Sequence, residues 1–177
     1  MVEEKKLPNL DEFVELSAFA DAEIGTAAAK TINEAMEQVM DKIGEIFSPE
    51  THILLLIDKD THELYVKLAQ GKNEDKLRGL KIPKGEGLAG WVVENGKSEC
   101  VEETKKVSRL SKSIGKLTEY DITSTMGIPL EVTDKIIGVF QLLNKTNGEA
   151  YSADEMNIMQ TIVEYAAMAI EKLYYLS

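Results

Sequence analysis

The fold class is decided by one stretch of the sequence, Thr125-Met126-Gly127-Ile128-Pro129-Leu130-Glu131-Val132-Thr133-Asp134-Lys135-Ile136-Ile137-Gly138-Val139-Phe140-Gln141-Leu142-Leu143-Asn144. Two apolar runs flank the turn residues Thr133-Asp134-Lys135, an arrangement typical of a β-hairpin. The second run is apolar at nearly every position, which predicts a strand buried on both faces. Pro129 lies within the first run, and because proline cannot donate to a ladder, we expect a sheet edge or a bulge there.

A second hairpin is predicted upstream of the first. Ile53–Ile57 is a short apolar run, Asp58–Thr61 is a turn, and residues 63–69 alternate between polar and apolar. Leu80–Ile82 is typical of another short strand. The middle of the chain is therefore predicted to be largely β-structure.

Leu88–Glu94 predicts a short helix that ends at Asn95-Gly96. The glycines before it spell G-x-G-x-x-G over residues 85–90. This pattern can cradle a dinucleotide phosphate, but such a cradle requires a βαβ unit with a parallel sheet. Among hairpins, we interpret the glycines as a tight turn that lets a small helix pack closely, with Trp91 in the core.

Amphipathic helices are predicted at both ends of the hairpin region. The first runs from Thr26 to Phe47 and is ended by Ser48-Pro49. The second begins at a capping box made of Ser152 and Glu155 and continues with apolar residues at three-four spacing.

Terminal helices with two hairpins between them indicate an α+β domain, with helices segregated to the faces of a mostly antiparallel sheet. We assign a helical extension to residues 1–25 and one domain to residues 26–177. The apolar faces of the terminal helices exceed what one sheet can cover, which favours dimerisation.

The composition of the chain disfavours several classes of function and partner. The 177 residues carry a net charge of −11, which disfavours a nucleic-acid polymer as partner. The one cysteine, Cys100, excludes an internal disulfide framework, and no apolar stretch reaches the ~20 residues that span a membrane. The N-terminus lacks the apolar core of a signal peptide, so we expect a cytoplasmic protein without membrane contact.

Candidate metal-binding and catalytic residues are sparse. His52 and His62 lie near strand ends, but two ligands do not make a structural zinc site. Cys100 has no His beside it in the sequence, and we expect a buried, unreactive thiol. Because no nucleophile motif stands out, the sequence favours a protein that is not an enzyme.

Three stretches carry a resemblance to a known family: Ile82-Pro83-Lys84-Gly85-Glu86-Gly87-Leu88-Ala89-Gly90-Trp91-Val92, Gly127–Leu130 and Ile137–Lys145. In this order and spacing they resemble the GAF domain, the small-molecule sensor module of cyclic-nucleotide phosphodiesterases and many bacterial signalling proteins. The resemblance implies a central antiparallel sheet of five to six strands. It places the N- and C-terminal helices on one face, and a short helix with an irregular lid on the other.

A family motif of structural type lies at the start of the last helix. Asn144-Lys145, Tyr151 and Asp154-Glu155 are similar to the N-K…F…D-E pattern of the cyclic-nucleotide-binding members. Tyr151 stands in place of Phe, and only two residues separate it from Asp154, where the family has three. The resemblance implies a Lys–acid pair that ties the last strand to the last helix. Counted from Tyr151, the acid is Glu155.

The resemblance places a ligand over the sheet, beneath the lid, which corresponds here to residues 104–125. The part from 104 to 118 contains several bases and no acid, although a solvated basic loop would look the same. The Gly and Arg that phosphodiesterase members carry in the later part are absent. A cationic lid rich in hydroxyls suits a cyclic nucleotide or another small anion or purine. The candidate ligand-binding residues are Arg109, Ser111, Ser113, Tyr120, Asp121, Thr123 and Thr125.

The sequence leaves more than one function open. The first is a regulatory sensor domain that binds a small molecule and acts on a downstream signalling protein. The alternative is a ligand-free dimerisation or scaffolding module, and a homodimer through the terminal helices is expected in either case. One GAF branch reduces free methionine sulfoxide with several cysteines in relay, which Cys100 alone cannot complete.

Overall fold

A computed structural model describes residues 27–102 and 120–176. The extension predicted for residues 1–25, and most of the lid with Arg109, Ser111 and Ser113, lie outside the described residues. The elements in chain order are α1 (Ala27–Phe47), β1 (Pro49–Ile57), β2 (Leu64–Gly71), α2 (Glu74–Leu77), β3 (Lys81–Ile82), α3 (Gly87–Asn95), β4 (Glu99–Glu102), β5 (Ser124–Val132), β6 (Lys135–Lys145) and α4 (Ala153–Leu176).

Within the described residues, the strands form one six-stranded antiparallel sheet in the order β3-β2-β1-β6-β5-β4. β6 lies between β1 and β5, in agreement with its almost continuous apolar sequence. The turn before it has left-handed φ values at Thr133 and Asp134, 53° and 62°, as in a two-residue type I′ hairpin. β6 consequently begins at Lys135, one residue earlier than the sequence pattern predicts.

The two faces of the sheet carry separate cores. On one face, side chains such as Leu54 and Phe140 pack with α1 and α4, and we call this the α1–α4 core. On the other face, side chains such as Leu55 and Val139 pack with α3, and we call this the α3 core. The predicted fold class, an α+β sheet with the terminal helices on one face and a short helix on the other, is confirmed.

Pro129 does not lie in an edge strand, because β4 flanks β5 on that side. β4, however, pairs only with residues 124–127 of β5, so Pro129 lies beyond the end of that ladder. The pairing of β5 with β6 shifts register between Leu130 and Glu131, one residue past the proline. Pro129, which has no backbone N–H, therefore lies where β4 is no longer paired and no donor is needed.

The glycine motif before α3 serves close packing. A Cβ at Gly90 would lie 2.6 Å from the backbone carbon of Gly85, and one at Gly127 would lie 3.1 Å from Val92 Cγ2. The motif therefore lets α3 approach both the preceding turn and β5. Trp91, predicted to lie in the core, is half-buried and packs against the edge of the α3 core. The surrounding sheet is antiparallel, so the βαβ context of a dinucleotide cradle is not met by the described residues.

No helix in the described ranges has the length and apolar character needed to cross a membrane.

Candidate functional site

The side chain of Asn144 joins several segments at the end of β6. Its Oδ1 accepts hydrogen bonds from Thr123 N at 2.8 Å, Thr123 Oγ1 at 3.1 Å and Ser124 N at 3.1 Å. Its Nδ2 donates to Glu50 Oε2 at 3.0 Å and to the Asp121 carbonyl at 2.9 Å. The residues that lead into β5, Tyr120–Thr123, which we call the exit segment, are thereby fixed to the sheet.

Tyr120 anchors the beginning of the exit segment. It is buried, and its hydroxyl donates to Glu50 Oε2 at 2.8 Å and lies 3.2 Å from Thr51 Oγ1. Lys72 Nζ lies 5.4 Å from the centre of its ring. Burial raises the pKa of Tyr120 to about 12, while the hydrogen bonds from Asn144 and then Tyr120 lower the pKa of Glu50. The phenol therefore stays neutral beside a carboxylate.

Thr125 and Gln141 form a buried polar pair on the α3 face of the sheet. Gln141 is paired across the strands with Gly127, whose missing Cβ faces Val92 and Leu88 of α3. Cross-strand partners point to the same face, so Gln141 points towards α3. The two side chains are 2% and 5% exposed, respectively. The pair is therefore a buried polar group beside the apolar side chains of the α3 core, and we call it the Thr125–Gln141 floor.

The orientation of the Gln141 amide follows from its partner. Thr125 Oγ1 donates its hydrogen to the Leu142 carbonyl at 2.8 Å, so it can only accept from Gln141 Nε2, which lies 3.0 Å away. Gln141 Oε1 is then left buried, and no described residue donates to it. A buried carbonyl oxygen without a donor costs free energy unless another group satisfies it.

The end of β6 is tied to the start of α4. Lys145 Nζ lies 3.1 Å from Glu155 Oε1, and Tyr151 Oη donates to the Asn144 carbonyl at 2.6 Å. Ser152 and Glu155 form the predicted capping box, with Ser152 N donating to Glu155 Oε1 and Glu155 N donating to Ser152 Oγ, both at 3.1 Å. Burial alone would raise the pKa of Glu155, but hydrogen bonds from Lys145 and Ser152 outweigh it and leave that pKa below its ordinary value.

The structure brings four of the sequence-predicted ligand-binding residues together around Asn144 and Gln141: Tyr120, Asp121, Thr123 and Thr125. The hydroxyls of Tyr120 and Thr123 are hydrogen-bonded to Glu50 and Asn144, so both residues shape the site. Thr125, the last residue assigned to the lid, belongs to β5.

Gln141 was not singled out from the sequence as a site residue. The signal that could have found it is a polar residue in the middle of the apolar β6 run. Such a residue on a buried strand requires a partner or a function.

His52 is buried within β1, rather than at a strand end, and its Nε2 lies 2.7 Å from the Met40 carbonyl in α1. Across residues 27–102 and 120–176, no three His, Cys, Asp or Glu side chains are grouped as a metal ion would require. Cys100 is half-buried rather than buried as predicted. Burial and then the neighbouring carboxylates raise the pKa of its thiol to about 11, which lowers its thiolate reactivity.

The sequence model of the GAF domain matches residues 31–170. Because the match spans most of the chain, the chain belongs to the GAF domain family. This family consists of small-molecule-binding regulatory domains of signalling proteins.

Curated relatives share part of the chain. It is 32% identical over 93 residues to the dual 3',5'-cyclic-AMP and -GMP phosphodiesterase 11A of Takifugu rubripes, in a match that covers 51% of the chain and 10% of that protein. It is 25% identical over 92 residues to the dual 3',5'-cyclic-AMP and -GMP phosphodiesterase 11 of Drosophila melanogaster, in a match that covers 51% of the chain and 6% of that protein. The chain therefore corresponds to a small part of these relatives.

Solved structures agree in fold. The blue-light-absorbing form of the PixJ GAF domain of Thermosynechococcus elongatus has a TM-score of 0.72 at 12% identity, over 86% of this chain and 92% of that one. The GAF domain of a phosphoenolpyruvate-protein phosphotransferase from Coxiella burnetii has a TM-score of 0.70 at 18% identity, over 95% of this chain and 98% of that one.

Proposed function

We propose that this domain is a regulatory sensor that binds a small molecule over the Thr125–Gln141 floor, between α3 and the exit segment. The observation that carries the proposal is Gln141 Oε1, a buried acceptor with no donor among the described residues. Its amide is held by Thr125, so the floor offers a fixed acceptor to any ligand that reaches it. Such an acceptor selects a ligand with an N–H donor.

The ligand class that best fits is a purine nucleotide, with a cyclic nucleotide as the first candidate. An amino or ring N–H of a purine would satisfy Gln141 Oε1. The bases of residues 104–118, among them Arg109, supply positive charge for a phosphate. The two phosphodiesterase relatives, whose names include both cyclic AMP and cyclic GMP, support the same class.

Calorimetric titration with cyclic AMP, cyclic GMP and the matching 5'-monophosphates tests the proposal. We expect one of them to bind, and Gln141→Leu to weaken that binding about tenfold or more, because it removes the acceptor. Gln160→Leu is the matched control, since Gln160 is half-buried in a separate cleft of about 530 Å³ between β5 and α4. Binding that survives Gln141→Leu, or equal losses in both variants, would overturn the assignment.

We further propose that the domain is a homodimer through α1 and α4. The exposed apolar side chains include Ile46 on α1, and Ile158, Tyr165 and Met168 on α4, which are 47%, 50%, 68% and 61% exposed. Ile158 and Tyr165 are seven residues apart and share one helix face. α1 packs against α4, so the two helices form one layer outside the sheet.

Sedimentation equilibrium tests the dimer. We expect a dimer for the wild type and a monomer for Tyr165→Lys at the same concentration, because a charge would be buried in the interface. Asp60→Lys, in the exposed β1–β2 turn, is the control for added charge and leaves the dimer intact. A monomeric wild type at tens of micromolar would contradict the proposal.

The proposed role is regulatory, with the signal passed to another signalling protein in the cytoplasm. The high pKa of Cys100 supports a role without thiol chemistry.

A further inference from the structure

We infer that Asn144 is a junction that couples the exit segment to the N-terminal cap of α4, so that the state of one is transmitted to the other. Asn144 forms the junction through both its side chain and its backbone. The side chain of Asn144 binds the exit segment and Glu50, and its backbone carbonyl accepts the Tyr151 hydroxyl at 2.6 Å. The next residue, Lys145, pairs with Glu155 in the first turn of α4.

The backbone of Asn144 is held in a conformation that depends on these contacts. Its φ is +56°, in the left-handed region that residues other than glycine rarely adopt. Four of its five side-chain hydrogen bonds go to Asp121, Thr123 and Ser124, and the fifth goes to Glu50. If the exit segment moves away, the contacts that stabilise the left-handed conformation are lost together.

The cap of α4 depends on the same backbone. Glu155 Oε1 accepts from both Lys145 Nζ and Ser152 N, so one carboxylate oxygen joins the end of β6 to the cap. Tyr151 is 3% exposed, and its hydroxyl has a fixed place beneath Asn144. A rotation at Asn144 would shift Lys145 and the Tyr151 acceptor at once, which weakens the first turn of α4.

Glu50 extends the junction to α1. It lies three residues after Phe47, the last residue of α1, and its Oε2 accepts from both Tyr120 and Asn144. The exit segment is thereby connected to both terminal helices, the elements that carry the exposed apolar side chains. The regulatory meaning of this coupling rests on the proposed sensor function, but the coupling itself exists without a ligand.

Hydrogen–deuterium exchange on the ligand-free protein tests the coupling, with the amides of Ser152, Glu155 and Met156 as reporters. Tyr120→Phe removes the hydroxyl bond to Glu50 and keeps the ring. We expect these amides to exchange about two- to tenfold faster, the equilibrium factor of one buried hydrogen bond. The control is Thr61→Val, which removes an exposed hydroxyl hydrogen bond in the β1–β2 turn, away from Asn144 and both terminal helices, and leaves the exchange unchanged.

A double-mutant cycle separates coupling from local damage. Tyr120→Phe and Tyr151→Phe remove hydroxyls on the two sides of Asn144. We expect the unfolding constant of the double variant to differ from the product of the single effects by about a factor of two or more. Multiplicative effects, or faster exchange confined to residues 120–124 in Tyr120→Phe, would overturn the inference. Because no ligand is used, failure of cyclic-nucleotide binding would leave this result standing.

Discussion

Glu155 Oε1 lies 3.1 Å from Lys145 Nζ and is also the oxygen that accepts the Ser152 N–H of the α4 cap. The acid that meets Lys145 is thus Glu155 and not Asp154, which is exposed. The pair is only partly accessible, with side-chain exposures of 13% for Lys145 and 23% for Glu155. One carboxylate therefore contributes to both the strand–helix junction and the helix cap.

Glu155→Gln should destabilise the domain by about 1–2 kcal/mol, because it weakens a charge-assisted hydrogen bond at a partly buried cap. Asp154→Asn is the matched control in the same helical turn and should change the free energy of unfolding by less than about 0.5 kcal/mol. Urea denaturation of both variants measures the difference. Equal losses would show that the pairing assigned to Glu155 is wrong.

The stability of the domain should fall in acid through Glu50. Its pKa is lowered from 4.5 in the folded state, so its contribution is present above the unfolded pKa and is lost as the pH falls through the lower, folded pKa. Glu50→Gln should flatten the pH dependence of unfolding below about pH 4.5. Denaturant titrations at several pH values measure the slope, and an unchanged slope in the variant would contradict this origin.

His52 should add a second pH-dependent contribution, at higher pH. Burial lowers its pKa from 6.5 and outweighs the hydrogen bonds with the Met40 carbonyl and the Gln70 side chain, which act in the opposite direction. The neutral ring is therefore favoured in the folded state, so this contribution is complete above pH 6.5 and is lost as the pH falls from there through the folded pKa. NMR titration of the two histidines checks the direction. A His52 pKa at or above that of an unfolded-peptide histidine would contradict it.

Gly90→Ala should destabilise the domain although it lies in a helix. Helix propensity alone would make alanine more favourable by about 1 kcal/mol. The added Cβ would, however, lie 2.6 Å from the backbone carbon of Gly85, a contact that no side-chain rotation can relieve. We expect a net loss of about 1–3 kcal/mol in thermal or urea unfolding. A more stable Gly90→Ala variant would show that α3 does not depend on this close approach.

The elements of the fold were predictable because their signals are local. The period of the apolar residues identified α1 and α4, and the capping box placed the start of α4 within a residue. The β5–β6 hairpin was visible in two apolar runs with turn residues between them. Its turn was shorter by one residue than predicted, because left-handed φ values at Thr133 and Asp134 suffice to reverse the chain.

The site was only partly predictable because its contacts are distant in sequence. Glu50 and Asn144 are 94 residues apart, and the sequence around one does not indicate a contact with the other. Tyr120, Thr123 and Thr125 were named as candidates, but that Thr123 would bond to Asn144 depends on how the exit segment meets β6. The strand order was not predictable for the same reason, because no local sequence pattern indicates that β6 pairs with β1.

Native mass spectrometry of the purified domain tests whether the Thr125–Gln141 floor is a ligand site. With cyclic AMP or cyclic GMP added, we expect a wild-type species whose extra mass equals one nucleotide per subunit. The same experiment should show a strongly reduced bound fraction for Gln141→Leu and an unchanged bound fraction for Gln160→Leu. A wild type that binds neither these cyclic nucleotides nor the 5'-monophosphates, or a Gln141→Leu variant that binds as well as the wild type, would show that this floor is not the ligand site.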